Sequence, residues 1–121
     1  MQEPITLVVG ATPNPERYSY MATVLLVEKG HSVYPFGIKK GEIEATSIIN
    51  EWPVNIAIDT VSLYLGPAAQ EAYYNAILDL KPRRIIFNPG TENPILATLA
   101  SEKGIQTIEA CTLVMLKTGQ Y

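Results

Sequence analysis

The chain has one cysteine, Cys111, and one histidine, His31, in 121 residues. A single cysteine excludes an internal disulfide and a thiolate-rich metal site, and a single histidine removes most zinc and di-metal chemistry. Positive charge is also scarce, with Lys+Arg 9 against Asp+Glu 12 and a net charge of −3. No basic tract is present, which argues against a nucleic-acid backbone as partner. No 18 apolar residues run together, so no membrane-spanning helix is expected. The opening residues MQEPITLVVG carry no basic leader, and the expected setting is cytoplasmic, with a reduced thiol.

What remains is the composition of a folded domain, 47% apolar and 17% charged. A single domain over 1–121 of this size buries roughly two thirds of its unfolded surface, enough for a core without covalent staples. Ile5 to Val9 is an uninterrupted apolar run, as expected of a strand covered on both faces. Ser32–Phe36, a segment within Ile56–Leu65, Arg84–Phe87 and Gln106–Ala110 give further strand signals, and Ala45–Ile49 suggests a short one. Helical spacing runs from Tyr18 to Lys29, closed by Gly30, and from Pro67 to Leu80, ended by Lys81-Pro82. Asn93-Pro94 predicts an N-cap with proline at N1 of a helix reaching Lys103 and closed by Gly104. Thr112–Lys117 fits either a terminal helix or an apolar strap. Strands alternating with helices imply right-handed crossovers: an α/β, three-layer, doubly wound and mostly parallel sheet of five to six strands, Rossmann-like, reversing beside the first strand.

In such a sheet ligands bind beyond the carboxyl ends of the strands. The candidate rim is therefore Gly10 to Arg17 (with Ala11, Thr12 and Asn14), Gly37 to Lys40, Gly66-Pro67, Asn88 to Asn93 (with Pro89 and Gly90), and Cys111-Thr112. Glycines directly after three strands suit either tight turns or close backbone approach to a ligand, and their sharing one rim favours the ligand. A helix beginning near Tyr18 offers free amides to an anion, with Ser19 or the backbone near Tyr20 as donors and Arg17 as a mobile cation or a solvated residue. Gly10-Ala11-Thr12-Pro13 is not a dinucleotide GxGxxG, and no acid follows the second strand to hold a ribose. Lys39 and Lys40 there suit a phosphate or a wet turn, and Phe36 a purine or the core edge. Walker A is absent. His31, Asp59 and Asp79 fall away from the rim, and Glu92 and Glu109 stand alone near it. Cys111 fits a small buried thiol, and no catalytic triad is visible.

The segments VVGATPNPERYSYMA (8–22), HSVYPFG (31–37), TVSLYLGP (60–67), IIFNPGTEN (85–93) and IEACTLVML (108–116) together resemble the small stand-alone CoA-binding domain proteins. That family's fold is similar to the N-terminal nucleotide-binding domain of the succinyl-CoA ligase alpha subunit. The resemblance implies that Gly10, Ala11 and Thr12 turn against the CoA diphosphate, with Ser19, Tyr20 and Arg17 at the helix opening. Where relatives have Val-Asn-Pro this chain has Phe36-Gly37-Ile38, which leaves the adenine or 3′-phosphate to backbone groups and Lys39 or Lys40. Gly66-Pro67 and Asn88-Pro89-Gly90 supply the remaining walls. The ligase's phosphorylated histidine belongs to a following domain and has no counterpart here. The expected function is coenzyme A or acyl-CoA binding by a non-catalytic carrier, sensor or partner module, with no metal, no nucleic acid and no membrane. An NAD(P)-binding oxidoreductase or redox sensor, and an interaction domain with a vestigial pocket, are the alternatives. A homo-oligomer or a separate protein partner is compatible with each.

Overall fold

The computed structural model describes residues 4–121. Five strands, β1 (Ile5–Val9), β2 (Ser32–Phe36), β5 (Ile58–Leu63), β6 (Arg84–Phe87) and β7 (Gln106–Glu109), form one sheet in the order β2-β1-β5-β6-β7. Every pairing in it is parallel. The order reverses beside β1, as the sequence pattern predicts. β3 (Glu42–Ile43) and β4 (Thr46–Ser47) form a small antiparallel hairpin. The short strand expected over 45–49 is thus the return arm of that hairpin, and Ile49 then makes a single parallel bridge with Phe36.

Side-chain alternation divides the interior. Leu7, Val9, Val61, Leu63, Ile85 and Phe87 face one way and pack with Ile77 and Leu78 of α3 (Tyr74–Asp79) and Leu96 and Ala100 of α4 (Pro94–Glu102). Val8 faces the other way with Leu26 of α1 (Tyr18–Glu28) and Leu116 of α5 (Thr112–Lys117). The terminal segment is therefore a helix rather than a strap. α1 and α4 both end as expected: His31 N–H donates to Leu26 O and Ile105 N–H to Ala100 O, each across a glycine with positive φ.

Two features depart from the sequence reading. The helix expected from Pro67 to Leu80 is broken into α2 (Pro67–Gln70), a 3-10 turn (Glu71–Tyr73) and α3. The Gln70 side chain is fully buried here, donating to Leu65 O and Thr91 O at 2.8 Å each. That ties the start of the segment to the rim while α3 packs on the sheet. Secondly, the α1/α5 face of the sheet carries buried polar groups, Thr6, Thr60, Ser62 and Arg84. Arg84 Nε donates to Thr60 Oγ1 at 2.9 Å, and its guanidinium lies 4.5 Å from the centre of the Tyr121 ring. Stacking and hydrogen bonding together compensate its burial.

Candidate functional site

The rim of the sheet at the carboxyl ends encloses a cavity of about 590 Å³, within the range of small-molecule sites. It runs as a trench across four strand ends. Phe36, Gly37, Ile38 and Lys39 border it after β2; Gly10, Ala11 and Thr12 after β1; Tyr64, Leu65, Ala69 and Tyr73 after β5; Pro89 and Thr91 after β6. Glu16, Arg17, Tyr18 and Ser19 complete the wall at the opening of α1.

Two backbones cross tightly at its floor. Gly10 and Ala11 N–H both donate to Phe36 O, at 3.0 and 2.9 Å. A Cβ on Gly37 would sit 2.2 Å from Ala11 O, and one on Gly10 (φ +102) would meet Tyr64 backbone and Cβ at 3.2 Å. Both glycines therefore have an internal requirement: the chain's own backbone approaches them, whether or not a ligand does. Gly37 N–H donates to Ile49 O, while Asn50 Nδ2 donates to Gly37 O at 2.7 Å and Lys39 O at 3.0 Å. The β2 turn is thereby locked to the hairpin segment.

The opening of α1 is built differently. Its N-cap is Arg17, in extended conformation, and no side chain caps the helix. Asn14, a residue type suited to capping, instead accepts from Glu16 N–H at 3.0 Å. Ser19 is 4% exposed and lines the cavity, yet its Oγ makes no hydrogen bond among the described residues. Tyr20 and Met21 N–H donate to Arg17 O, so the unpaired Ser19 hydroxyl and the Tyr18 and Ser19 amides form the donor set open to an acceptor. The helix dipole adds positive potential, and Arg17 and Lys39, both exposed, supply cations at the same end.

Two asparagines of the rim are fully committed to the fold. Asn88 Nδ2 donates to Ser62 Oγ at 2.9 Å and Leu63 O at 2.8 Å, and its Oδ1 accepts from Thr112 N–H at 2.8 Å. Asn93 Oδ1 accepts from Ile95 and Leu96 N–H, and its Nδ2 donates to Gln70 Oε1 and Tyr74 hydroxyl. The N-cap expected at Asn93 is present. Tyr64 presents its ring to the cavity but buries its hydroxyl with no partner, and burial pushes this phenol up to about 12. The nearby Ser62 and Thr112 hydroxyls, bonded to each other at 2.8 Å, offset that only in part.

The trench thus gathers Gly10, Ala11, Thr12, Arg17, Ser19, Phe36, Gly37, Lys39 and Pro89 of the residues expected from sequence. Asn14, Tyr20, Lys40, Gly66, Pro67, Asn88 and Gly90 lie outside its lining. Tyr20 packs with the α1 core, Gly66 caps α2, and Gly90 N–H donates to Glu92 Oε1 at 2.9 Å. Phe36 is 7% exposed and spends its ring on Trp52 and Tyr73, at 5.0 and 5.8 Å between centroids. It is an edge of the core that the cavity touches. Sequence reasoning missed Tyr64 and Leu65, although they directly follow β5 and fall under the same strand-end rule as Gly66. Tyr73 and Ala69 were visible only as helix positions, Thr91 fell within the expected rim segment, and Trp52, stacked on Tyr73, carried no motif. Cys111 and His31 do not line the cavity; His31 packs edge-on against Tyr121 at the other end of β2. No cluster of three metal-ligating side chains occurs among the described residues.

A doubly wound parallel sheet with an uncapped helix opening onto a trench beside the order reversal defines the Rossmann-like class of α/β proteins. Within that class the chain belongs to the CoA binding domain family, whose sequence profile matches residues 5–117. No curated protein matches the chain. Among solved structures it is similar to an uncharacterized protein with 50% identity over the whole of both chains and a TM-score of 0.94. It shares the fold of a hypothetical protein from Pyrococcus horikoshii OT3, at 23% identity, with 97% of this chain and 84% of that one covered and a TM-score of 0.85. The same holds for a Thermus thermophilus protein at 20% identity, 98% and 91% coverage and a TM-score of 0.84.

Proposed function

We propose that this chain binds coenzyme A or an acyl-CoA in the trench and acts as a carrier, sensor or partner module without chemistry of its own. The carrying observation is the unpaired hydroxyl of Ser19, a trench-lining residue at the uncapped opening of α1, which fits one oxygen of the CoA diphosphate. Membership of the CoA binding domain family supports the same ligand. Lys39 at the β2 end and Arg17 at the α1 opening suit the 3′-phosphate and the diphosphate.

Isothermal titration with CoA, dephospho-CoA, NAD and NADP tests the reading. CoA should bind at about one per chain and dephospho-CoA more weakly. Ser19→Ala should weaken CoA by roughly fivefold to tenfold, the loss of one charge-assisted hydrogen bond. Binding of NADP with no response to CoA would replace the assignment with a dinucleotide one.

A further inference from the structure

We propose that the β5–β6 half of the trench selects an uncharged, apolar tail, so that among acyl-CoA esters the protein prefers a short alkanoyl thioester over one that ends in a carboxylate. This rests on the CoA reading above and adds the class of acyl group.

The trench crosses the strand ends in the sheet order β2, β1, β5, β6. Its cations are confined to the first two: Lys39 follows β2, and Arg17 with the uncapped α1 follows β1. The phosphates of CoA belong to that half by charge, which leaves the neutral pantetheine arm and its thioester to the other. There the wall is Tyr64, Leu65, Ala69, Tyr73, Pro89 and Thr91, without a charged side chain.

The Thr91 hydroxyl and the Gln70 amide near that end are already engaged, and the tyrosine hydroxyls there carry no positive charge. Thr91 Oγ1 donates to Asn88 O at 2.7 Å, and Gln70 Nε2 donates to Leu65 O and Thr91 O. The α4 opening is capped by Asn93, the first amide of α5 by Asn88, and α2 begins with Pro67, which has no N–H. Glu92, exposed and held by Gly90 N–H, adds negative charge at the β6 end. A terminal carboxylate brought here would lose hydration, gain no cation and meet a like charge. An alkyl chain would bury apolar surface against Leu65, Tyr73 and Pro89.

The test is titration of the chain with CoA, butyryl-CoA and succinyl-CoA, repeated on Ala69→Arg. Ala69 is exposed on α2, where arginine is compatible with a helix, and a circular-dichroism melt checks the fold. Butyryl-CoA should bind about tenfold or more tightly than succinyl-CoA, since each methylene buried is worth up to about fourfold and the carboxylate is penalised besides. Ala69→Arg should shrink or invert that ratio by about tenfold. Equal affinities for the two esters, or a ratio unmoved by Ala69→Arg, with CoA still bound, would overturn the proposal and leave the CoA reading intact. Absence of binding by all three ligands would overturn both.

Discussion

Replacing Gly37 by alanine tests the crossing of backbones on which the trench is built. The added Cβ would lie 2.2 Å from Ala11 O and 3.0 Å from Ala11 C, closer than nonbonded carbon and oxygen can stand, and both neighbours are backbone. Relief by a small shift is blocked on both sides. Gly37 N–H is held by Ile49 O and its carbonyl by Asn50 Nδ2, while Ala11 N–H is held by Phe36 O. The β1 and β2 turns must therefore separate, breaking at least one of these bonds. Overpacking of this kind costs about 2 kcal/mol, which in a domain of this length lowers Tm by roughly 8 °C. Urea titration should show the fall as a lower midpoint with an unchanged slope. Because the β1 turn that Gly37 crosses carries Gly10 to Thr12, the variant should also bind CoA at least tenfold more weakly, by about 1.4 kcal/mol. Gly66→Ser is the control: nothing lies within 4 Å of a Cβ there, and the hydroxyl can cap α2, so stability should hold or rise by a few tenths of a kcal/mol. Wild-type stability in Gly37→Ala, within about 0.5 kcal/mol, would refute the argument from the crossing.

Asn88→Ala removes a side chain that makes three buried hydrogen bonds, to Ser62, Leu63 and Thr112. It should cost about 2 to 4 kcal/mol in urea titration, more than any effect it has on ligand affinity in the surviving folded protein. Asp59 is held below its ordinary value of 3.8, first by hydrogen bonds from Arg83, with both N···O distances at 3.0 Å. Its contribution is complete above that value and lost as pH falls through the lower folded one. Asp59→Asn should therefore flatten the acid limb of stability below about pH 4, by no more than about 1 kcal/mol for so exposed a pair. Tyr64→Phe deletes the unpartnered hydroxyl and should leave neutral-pH stability unchanged or raise it by up to about 1 kcal/mol. The wild-type tyrosine, ordinarily at 10.0 and here at about 12, keeps its contribution below pH 10 and loses it as pH rises towards 12. The variant should lose that part of the alkaline slope in denaturation curves at pH 8 and pH 11.

The sheet and its order were legible because buried parallel strands leave short apolar runs bounded by glycine and proline, as at Ile5–Val9 and Arg84–Phe87. Asn93-Pro94 and Gly104 marked α4 correctly because capping is local chemistry. The rim was legible only as a set of strand ends. Asn88 and Ser19 are indistinguishable in sequence as polar residues near a turn. In three dimensions Asn88 faces inward and exhausts its hydrogen-bonding capacity, whereas Ser19 is buried with its hydroxyl unspent. Gly37 shows the same limit, since its need arises from Ala11, a neighbour only once β1 and β2 pair. Gln70, which a helical pattern treats as one more polar position, bonds to two loops that sequence separation hides.

The three longer-range openings on the rim differ in one respect that bears on function. α4 receives its cap from Asn93 and α5 from Asn88, but α1 begins at Arg17, whose side chain can donate and not accept. Asn14, a capping-type side chain just upstream, is spent on Glu16 N–H in the preceding turn. A cap supplied by the protein would stabilise α1 and at the same time occupy the amides that an anion needs. Arg17→Ser and Arg17→Gln separate the two effects, since both delete the charge and only serine caps well. Serine should give the more stable protein by about 1 kcal/mol in urea titration and bind CoA several-fold more weakly than glutamine. Equal stability would mean that the α1 opening is not short of a cap. Equal CoA affinity, with the stability difference present, would place the diphosphate away from the α1 amides and undo the assignment of Ser19.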